Sequence, residues 1–329
     1  MNIKELFTIT NVNEDIDKAY DITGSEITEA LSLLSKDDID LNSCPCLYLA
    51  RKNHCCSFNV LNPNVPEYSV HDISRIHLEK IKSLIDSGVM NIKDISDNFE
   101  LTENQRLQVN LEKSQKALIN KDNIQKSIKK LKYPLCFIDY ETYSAAIPIL
   151  DGLSPHQHMP FQVSIHVLDS NGDLKHFEYL AKEVNNASLG LIEFMNKTIT
   201  PKGTIISWHA SFENTKNKEM AERYPKYSHF LSDLNSRTFD LEKIFKKDYL
   251  LSKFRGKTSI KNVLPALIPE FSYKNLDIQD GGEAMEQWKK MIFSSITEDE
   301  KQKIINNLLE YCKMDTFAMV EIFKLVQSS

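Results

Sequence analysis

Leu135 to Thr142 read LCFIDYET, and this stretch decides the fold of the second half of the chain. Four largely apolar residues run into the acidic pair Asp139 and Glu141, which is the pattern of a short buried strand. Side chains alternate between the two faces of a strand, so Asp139 and Glu141 are expected on one face and Tyr140 on the other. The pair is either a ligand set for Mg²⁺ or Mn²⁺, which prefer oxygen donors, or two solvated acids at a strand end.

The composition is that of an ordinary globular protein, with 41% apolar and 26% charged residues in a chain of 329. This length suffices for two domains, or for one large domain with an adequate core. The net charge of −6 argues against nucleic-acid binding through bulk charge, but it leaves room for a local basic groove. Glycine is scarce, and no Gly-x-Gly-x-x-Gly or Walker-type loop occurs, so dinucleotide and P-loop sites are not supported.

The compartment is predicted from what the sequence lacks. Residues 1–21 show neither the basic start nor the apolar core of a secretory signal peptide. No stretch of apolar residues is long enough to span a membrane. Six cysteines in such a chain fit a reducing compartment. We therefore expect a cytoplasmic protein with no membrane partner.

Four of the six cysteines lie close together in the sequence, as Cys44-Pro-Cys46 and as Cys55-Cys56. Thiolates at this density can hold zinc or an iron–sulfur cluster. The spacing matches neither the Cys-x₂-Cys zinc ribbon nor the ferredoxin runs. Buried or vestigial cysteines without a metal are therefore the alternative.

Residues 1–130 are expected to form a smaller, mostly helical region. Between Tyr68 and Asp97 an apolar stripe at helical spacing predicts two short helices that are separated at Gly88. The polar stretch 101–130, which ends in basic residues, predicts a helical linker. We expect the domain boundary at its end.

The pattern then changes to alternating strands and helices. Residues 160–181 predict a hairpin that turns at Asn171-Gly172. Residues 203–210 predict a further strand, and Ser211 is expected to cap the helix that follows it. Three consecutive strands, then a helix, a strand and a helix, predict a mixed α/β sheet for residues 131–329.

Two more acidic motifs fall at chemically useful places. Trp208 to Glu213 (WHASFE) spans a strand-to-helix junction, so Glu213 is expected in the first helical turn. It is either a partner of the helix dipole or a third acid aimed at the end of the sheet. Tyr311 and Asp315 lie one turn apart on an apolar-striped helix. An acid there is costly unless hydrogen bonds, charges or a metal satisfy it.

A basic segment without any acid covers residues 249–269. Its four cations, with the aromatic ring of Phe254 among them, suit a phosphate backbone and a stacked base. These candidate nucleic-acid-binding residues are Lys253, Phe254, Arg255, Lys257 and Lys261. The alternative is a solvated loop that leads into an amphipathic helix.

In this order, the motifs DYE (139–141), HASFE (209–213) and YCKMD (311–315) resemble the three motifs of the DEDD superfamily of 3′–5′ exonucleases. The Tyr-x₃-Asp form is that of its tyrosine subclass, which includes the proofreading domains of family A polymerases and RNase D. More narrowly, residues 131–329 look like a bacterial family of predicted exonucleases. Its members are often fused behind a RecB-like or CRISPR-associated nuclease domain.

The resemblance implies a ribonuclease H-like fold, which is a mixed sheet with helices on both faces. It also implies 3′–5′ exonuclease activity on DNA or RNA with two Mg²⁺ or Mn²⁺ ions. The site residues that it implies are Asp139, Glu141, Glu213, Tyr311 and Asp315. The four acids would hold the ions, with Asp139 shared by both, and Tyr311 would orient the attacking water.

Two positions depart from the superfamily pattern. His209 stands where Asn is common, and Glu213 stands where Asp is common. The longer side chain of Glu213 can still reach a metal-bound water. Asp240, in the segment Thr238 to Leu241, is the alternative fourth acid.

Residues 44–130 also look like the tail of the fused RecB-like part, in which cysteines are thought to help hold an iron–sulfur cluster. Residues 1–130 do not supply the acids and the lysine of a RecB-like catalytic core. The resemblance therefore implies vestigial or structural cysteines and a separate nuclease subunit as a partner. Two rival functions are a catalytically inactive nucleic-acid-binding protein and an interaction protein of a nuclease complex.

Overall fold

The computed structural model describes residues 8, 10–36, 44–271 and 273–328. The remaining positions of the two predicted domains, and part of the stretch 1–21, lie outside the described residues. The chain divides into two compact units, Met1–Lys113 and Ser114–Ser329. Residues 114–130, which were predicted to belong to the linker of the first domain, are thus part of the second unit.

The first unit is helical and contains the cysteine cluster. Its α-helices in the described residues are α1 (Asn13–Leu34), α2 (Phe58–Leu61), α3 (Leu78–Asp86) and α4 (Glu103–Ser114). The predicted break at Gly88 is confirmed, because this residue has φ +77° directly after α3. A second α-helix before Asp97 was wrongly predicted: Ile92–Asp94 forms only one turn of 3₁₀ helix before the polar residues 96–98 end it.

The second unit is a mixed α/β domain. Its strands are β1 (Leu118–Ile119), β2 (Leu135–Tyr143), β3 (Met159–Leu168), β4 (Leu174–Leu180), β5 (Thr204–Ser207), β6 (Thr238–Asp240) and β7 (Tyr249–Leu250). Its helices are α5 (Lys121–Ile128), α6 (Ala187–Thr198), α7 (Ser211–Arg223), α8 (Ser228–Ser236), α9 (Glu242–Lys247), α10 (Ile260–Leu267), α11 (Gly281–Phe293) and α12 (Glu298–Ser328). No helix among the described residues is both long enough and apolar enough to cross a membrane.

A five-stranded mixed sheet organises this unit, in the order β4-β3-β2-β5-β6. Strand β2 pairs antiparallel with β3 and parallel with β5, while β1 and β7 form a separate two-stranded sheet. The predicted hairpin is confirmed: β3 and β4 are joined at Asn171-Gly172, where Gly172 has φ +93°. The sheet is flanked by helices, which confirms the predicted α/β class.

Strand β2 lies at the centre of the sheet, and its alternating side chains reach two cores. Phe137 packs in the core that contains α10, α11 and α12. Tyr140 points into the opposite core with α6, α7 and α8, where its hydroxyl donates to Asn217 Oδ1 at 2.9 Å. Asp139 and Glu141 therefore share the α12 side of the sheet, as predicted.

Gly203, at the entry to β5, has little room for a side chain. Its φ is +95°, and an added Cβ would lie 2.1 Å from the carbonyl oxygen of Pro134. Gly172 has nearly the same φ, +93°, but nothing lies within 4 Å of its added Cβ. We expect Gly203→Ala to lower the free energy of unfolding by about 2–4 kcal/mol and Gly172→Ala by about 1 kcal/mol. Urea denaturation of both variants measures the difference, and equal losses would contradict a steric role for Pro134.

Candidate functional site

A cleft of about 630 Å³ in the second unit collects the acidic residues that the sequence singles out. Asp139 and Glu141 reach it from β2, Glu213 from α7, and Asp315 from α12. The three acidic motifs, which are far apart in the sequence, thus meet in one place. Tyr311, on α12 one turn before Asp315, also lines the cleft.

The second motif enters the cleft through an unusual backbone conformation. His209 has φ +63°, a left-handed conformation that is uncommon for residues other than glycine, although asparagine, aspartate and histidine adopt it more often than the rest. Its amide donates to Asp240 Oδ1 at 3.2 Å. The turn lets α7 begin at Ser211, with Ala210 at the N-cap, so the prediction that Ser211 caps the helix was wrong. The expected position of Glu213 in the first turn is confirmed.

The carboxylate of Glu213 is incompletely satisfied. The residue is 5% exposed, and its Oε2 is buried without a hydrogen-bond partner. A buried oxygen without a donor costs about 1–3 kcal/mol. An atom of this kind fits an ion or an ion-bound water at the site.

Three potential ligand atoms lie especially close together. A carboxylate oxygen of Asp139, one of Glu141 and the Sγ of Cys312 are all within 4.8 Å of one another. Burial and the neighbouring acids raise the pKa of the Cys312 thiol well above its ordinary value, so it is a neutral thiol here. The carboxylate oxygens are the donors that suit Mg²⁺ or Mn²⁺.

Burial raises the pKa of each of the four carboxyl groups. For Asp139 the pKa lies well above its ordinary value, because the charges of Asp315, Glu141 and Glu213 add to the effect of burial. Burial raises the pKa of Glu141 and that of Glu213 to about 8, and that of Asp315 to about 6. Acids arranged in this way favour either protons or a bound cation, and such clusters occur at functional sites.

We expect the metal-free protein to gain stability when the pH is lowered from about 8.5 to about 6.5. Folding raises the pKa of Glu141 from 4.5 to about 8, and that of Glu213 likewise. Their contribution to stability is present below pH 4.5 and is lost as the pH rises through 8. Melting temperatures in EDTA measure this trend, and a flat or opposite trend would contradict it.

The buried His166 and the half-buried His176 limit the pH window of that measurement. Burial lowers the pKa of His166 to about 3 and that of His176 to about 4, from an ordinary value of 6.5. The stability that these neutral histidines contribute is fully present above pH 6.5 and is lost as the pH falls through their pKa values in the folded protein. It therefore opposes the gain in stability from Glu141 and Glu213 only below pH 6.5. In saturating Mn²⁺ the trend above pH 6.5 should reverse, because protons then compete with the ion.

Asp315 is held by a residue that the sequence gave no reason to select. The hydroxyl of Tyr273 donates to Asp315 Oδ1 at 2.7 Å, and both side chains are buried. The ring of Tyr273 meets that of Tyr311 edge-on, with 6.3 Å between centroids. Tyr311 in turn accepts a hydrogen bond from Lys261 Nζ at 2.9 Å.

The candidate residues of the basic segment lie in three different environments. Phe254 is 2% exposed and packs edge-on against Phe245. The prediction that Phe254 stacks on a base was therefore wrong, because its ring fills the core. Lys261 lies inside the cleft. Three basic side chains of the segment are exposed: Lys253, Arg255 and Lys257.

A second polar group lies at the rim of the cleft. His209 Nδ1 is 2.9 Å from Glu242 Oε2, and Glu242 also accepts from Thr258 Oγ1 at 2.7 Å and from Lys246. Burial works to raise the pKa of Glu242, but these hydrogen bonds bring it below its ordinary value. Glu242 was not predicted as a site residue from the sequence, although an acid just after a strand end is a usable signal of a site.

Asp240, the alternative fourth acid, has a different role. Its Oδ1 accepts the amides of His209 and Glu242, both at 3.2 Å, and so stabilises the turn after β6. It is absent from the described residues that line the cleft, whereas Glu213 is among them. Of these two acids, Glu213 is thus the one that lines the cleft.

The cysteines form a cluster in the first unit. The Sγ atoms of Cys44, Cys46 and Cys55 lie within 4.8 Å of one another, and Cys56 is outside this group and exposed. All four are free thiols. An iron–sulfur cluster or a structural zinc site has four ligands. Among the residues that the structure describes, these three thiols are three of the four ligands that either would need.

Residues 136–259 match the family described as a domain of unknown function, DUF2779. The chain is 26% identical to an uncharacterized protein of Ureaplasma parvum over 285 residues, which cover 79% of this chain and 41% of the relative. An uncharacterized protein of Mycoplasma pneumoniae is 26% identical over 59% of this chain and 32% of its own length. An uncharacterized protein of Mycoplasma genitalium is 25% identical over 65% of this chain and 35% of its own length. The chain thus spans less than half the length of these relatives, and no solved structure gives a significant match.

Proposed function

We propose that this protein is a metal-dependent 3′–5′ exonuclease that hydrolyses phosphodiester bonds of single-stranded DNA or RNA. One observation carries the proposal: four carboxylates meet in one cleft, and the buried Oε2 of Glu213 has no partner there. Such a set is unfavourable without a cation. The resemblance of the three acidic motifs to those of DEDD exonucleases supplies the reaction and its polarity.

A ribonuclease H-like fold is part of the proposal. The mixed sheet has helices on both faces, and β2, which supplies Asp139 and Glu141, lies at its centre. This architecture agrees with the fold that the resemblance implies. A fold hosts many functions, so the proposed activity rests on the site and not on the sheet.

The donor set fits two divalent ions. Asp139, Glu141 and Asp315 would hold one Mg²⁺ or Mn²⁺, Asp139 would be shared with a second, and Glu213 would accept from the waters of the second. When bound, such ions lower the pKa of a water molecule and neutralise charge that develops on the phosphate oxygens.

The remaining side chains would orient the attacking water and a metal ligand, and would bind the substrate. Tyr311 would direct its hydroxyl to the attacking water. Tyr273 donates to Oδ1 of Asp315 and thereby fixes the rotation of that carboxylate, as partners of metal ligands commonly do. The exposed cations of the basic segment would contact the phosphate backbone of the substrate. We also propose a cytoplasmic location and a second nuclease subunit as partner, both from the sequence.

The test uses purified protein and 5′-labelled single-stranded DNA and RNA oligonucleotides, with Mn²⁺ or with EDTA. We expect a ladder of products that shortens from the 3′ end in Mn²⁺ only, and the polymer that shortens identifies the substrate. If neither polymer is shortened but both bind in a salt-sensitive manner, the protein is an inactive nucleic-acid-binding protein. If it neither cleaves nor binds them, an interaction protein of a nuclease complex is the better explanation.

A further inference from the structure

Lys261 is the one lysine or arginine among the described residues that line the cleft. It lies in the first turn of α10, and its Nζ donates to the Tyr311 hydroxyl at 2.9 Å and to the Gln279 carbonyl at 2.6 Å. The ammonium also lies over two aromatic rings, 4.9 Å from the centroid of Tyr311 and 5.4 Å from that of Tyr273. Two hydrogen bonds and two aromatic rings thus hold the Lys261 ammonium group in place.

The chemistry of this contact sets the direction of the Tyr311 proton. An ammonium group has donors and no acceptor, so the phenol oxygen must be the acceptor in this hydrogen bond. The O–H of Tyr311 is then free to donate only away from Lys261. Tyr311 and Asp315 lie one turn apart on α12 and both line the cleft, so the direction that remains for the O–H is into the cleft.

The contacts also make Lys261 a poor phosphate ligand. A lysine that binds a phosphate backbone usually extends a flexible, exposed ammonium to it. Here two hydrogen bonds and two rings hold the Nζ, and releasing it would leave the Tyr311 hydroxyl without its donor. This differs from the nucleic-acid-binding role that the sequence suggests for the residue.

We propose that Lys261 is a positioning residue, which fixes the Tyr311 hydroxyl as a donor into the cleft and makes no contact with the phosphate backbone. The inference rests on the proposed exonuclease function and adds a residue to its machinery. Lys261 acts through Tyr311, so removing either partner should remove the same contribution.

The first test is a double-mutant cycle in cleavage rate with Lys261→Met, Tyr311→Phe and the double variant. We expect each single variant to lower kcat roughly 10- to 100-fold, and the double variant to be no slower than Tyr311→Phe alone. KM and the salt dependence of oligonucleotide binding should stay as in the wild type. Lys261→Arg, which keeps a donor, should recover part of kcat.

The matched control is Lys289→Met, the same substitution at an exposed lysine of α11 that pairs with Glu286. It should leave all these quantities unchanged. The proposal is overturned if the effects of Lys261→Met and Tyr311→Phe multiply. It is also overturned if Lys261→Met raises KM and makes the salt dependence shallower by about 0.7 in logarithmic slope, as the loss of one phosphate contact would.

A second cycle does not depend on activity. The same variants are unfolded by urea in EDTA, where the effects of Lys261→Met and Tyr311→Phe on the midpoint should again be non-additive. If the wild type cleaves nothing, the proposed function fails, while this second cycle still decides whether Lys261 holds Tyr311. Additive shifts of the urea midpoint would overturn the positioning role by themselves. If Lys261→Met does not fold, Lys261→Gln takes its place in both cycles.

Discussion

Asp139→Asn is expected to abolish metal-dependent cleavage and, in the absence of metal, to make the protein more stable. Asp139 is the carboxylate that two ions would share, so we expect the rate to fall by roughly 10³-fold or more. The neighbouring acids Asp315, Glu141 and Glu213 together also disfavour the charged form of the Asp139 carboxyl group. A neutral amide removes that repulsion, and the melting temperature in EDTA near pH 8 should rise by several degrees. Initial rates on labelled oligonucleotides and thermal melts measure the two effects.

A matched substitution and the response to metal control this experiment. Asp173→Asn, at an exposed acid of the hairpin between β3 and β4, should change neither quantity. Mn²⁺ should raise the melting temperature of the wild type far more than that of Asp139→Asn. A variant that keeps the full Mn²⁺ shift would rule out Asp139 as a metal ligand. If Asp139→Asn still cleaves at the wild-type rate, the reaction takes place at another active site.

Glu213→Gln is expected to lower the cleavage rate at least about 100-fold, whereas Asp240→Asn should lower it less than about 3-fold. The first change keeps the size of the side chain but replaces the buried, unpartnered Oε2 by an amide group. The second keeps an Oδ1 that can still accept the amides of His209 and Glu242. Single-turnover rates in saturating Mn²⁺ compare the two variants directly.

The opposite order of effects would make Asp240 the fourth acid. Two small losses would mean that the site works without a fourth carboxylate. Both variants replace a carboxyl group by its amide, so a difference in folding is checked by their melting temperatures in EDTA. Glu213→Gln should melt higher than the wild type near pH 8, because burial disfavours the charged form of Glu213.

The strands of the sheet were accessible from the sequence because each carries a strong local signal. The apolar run before Asp139 marks β2, and Asn171-Gly172 marks the turn between β3 and β4. The facing of Asp139 and Glu141 follows from the two-residue period of a strand. These are properties of short segments, so no tertiary information was needed.

The parts that escaped prediction depend on contacts between distant segments. Phe254 has basic neighbours that suggest a surface position, yet its burial is set by Phe245 on another helix. Tyr273 follows no motif, and only the fold brings its hydroxyl to Asp315. The left-handed conformation of His209 likewise does not follow from the residue type alone, and the contact of its amide with Asp240 appears only in the fold.

The position of Asp315 on α12 has a consequence for the order of events during protein synthesis. Translation proceeds from the N-terminus, so β2 and α7 emerge from the ribosome long before α12 has been made. Until then the nascent chain carries Asp139, Glu141 and Glu213 but neither Asp315 nor Tyr311. For the proposed exonuclease, the incomplete polypeptide would be inert toward nucleic acid, including the messenger RNA from which it is being read.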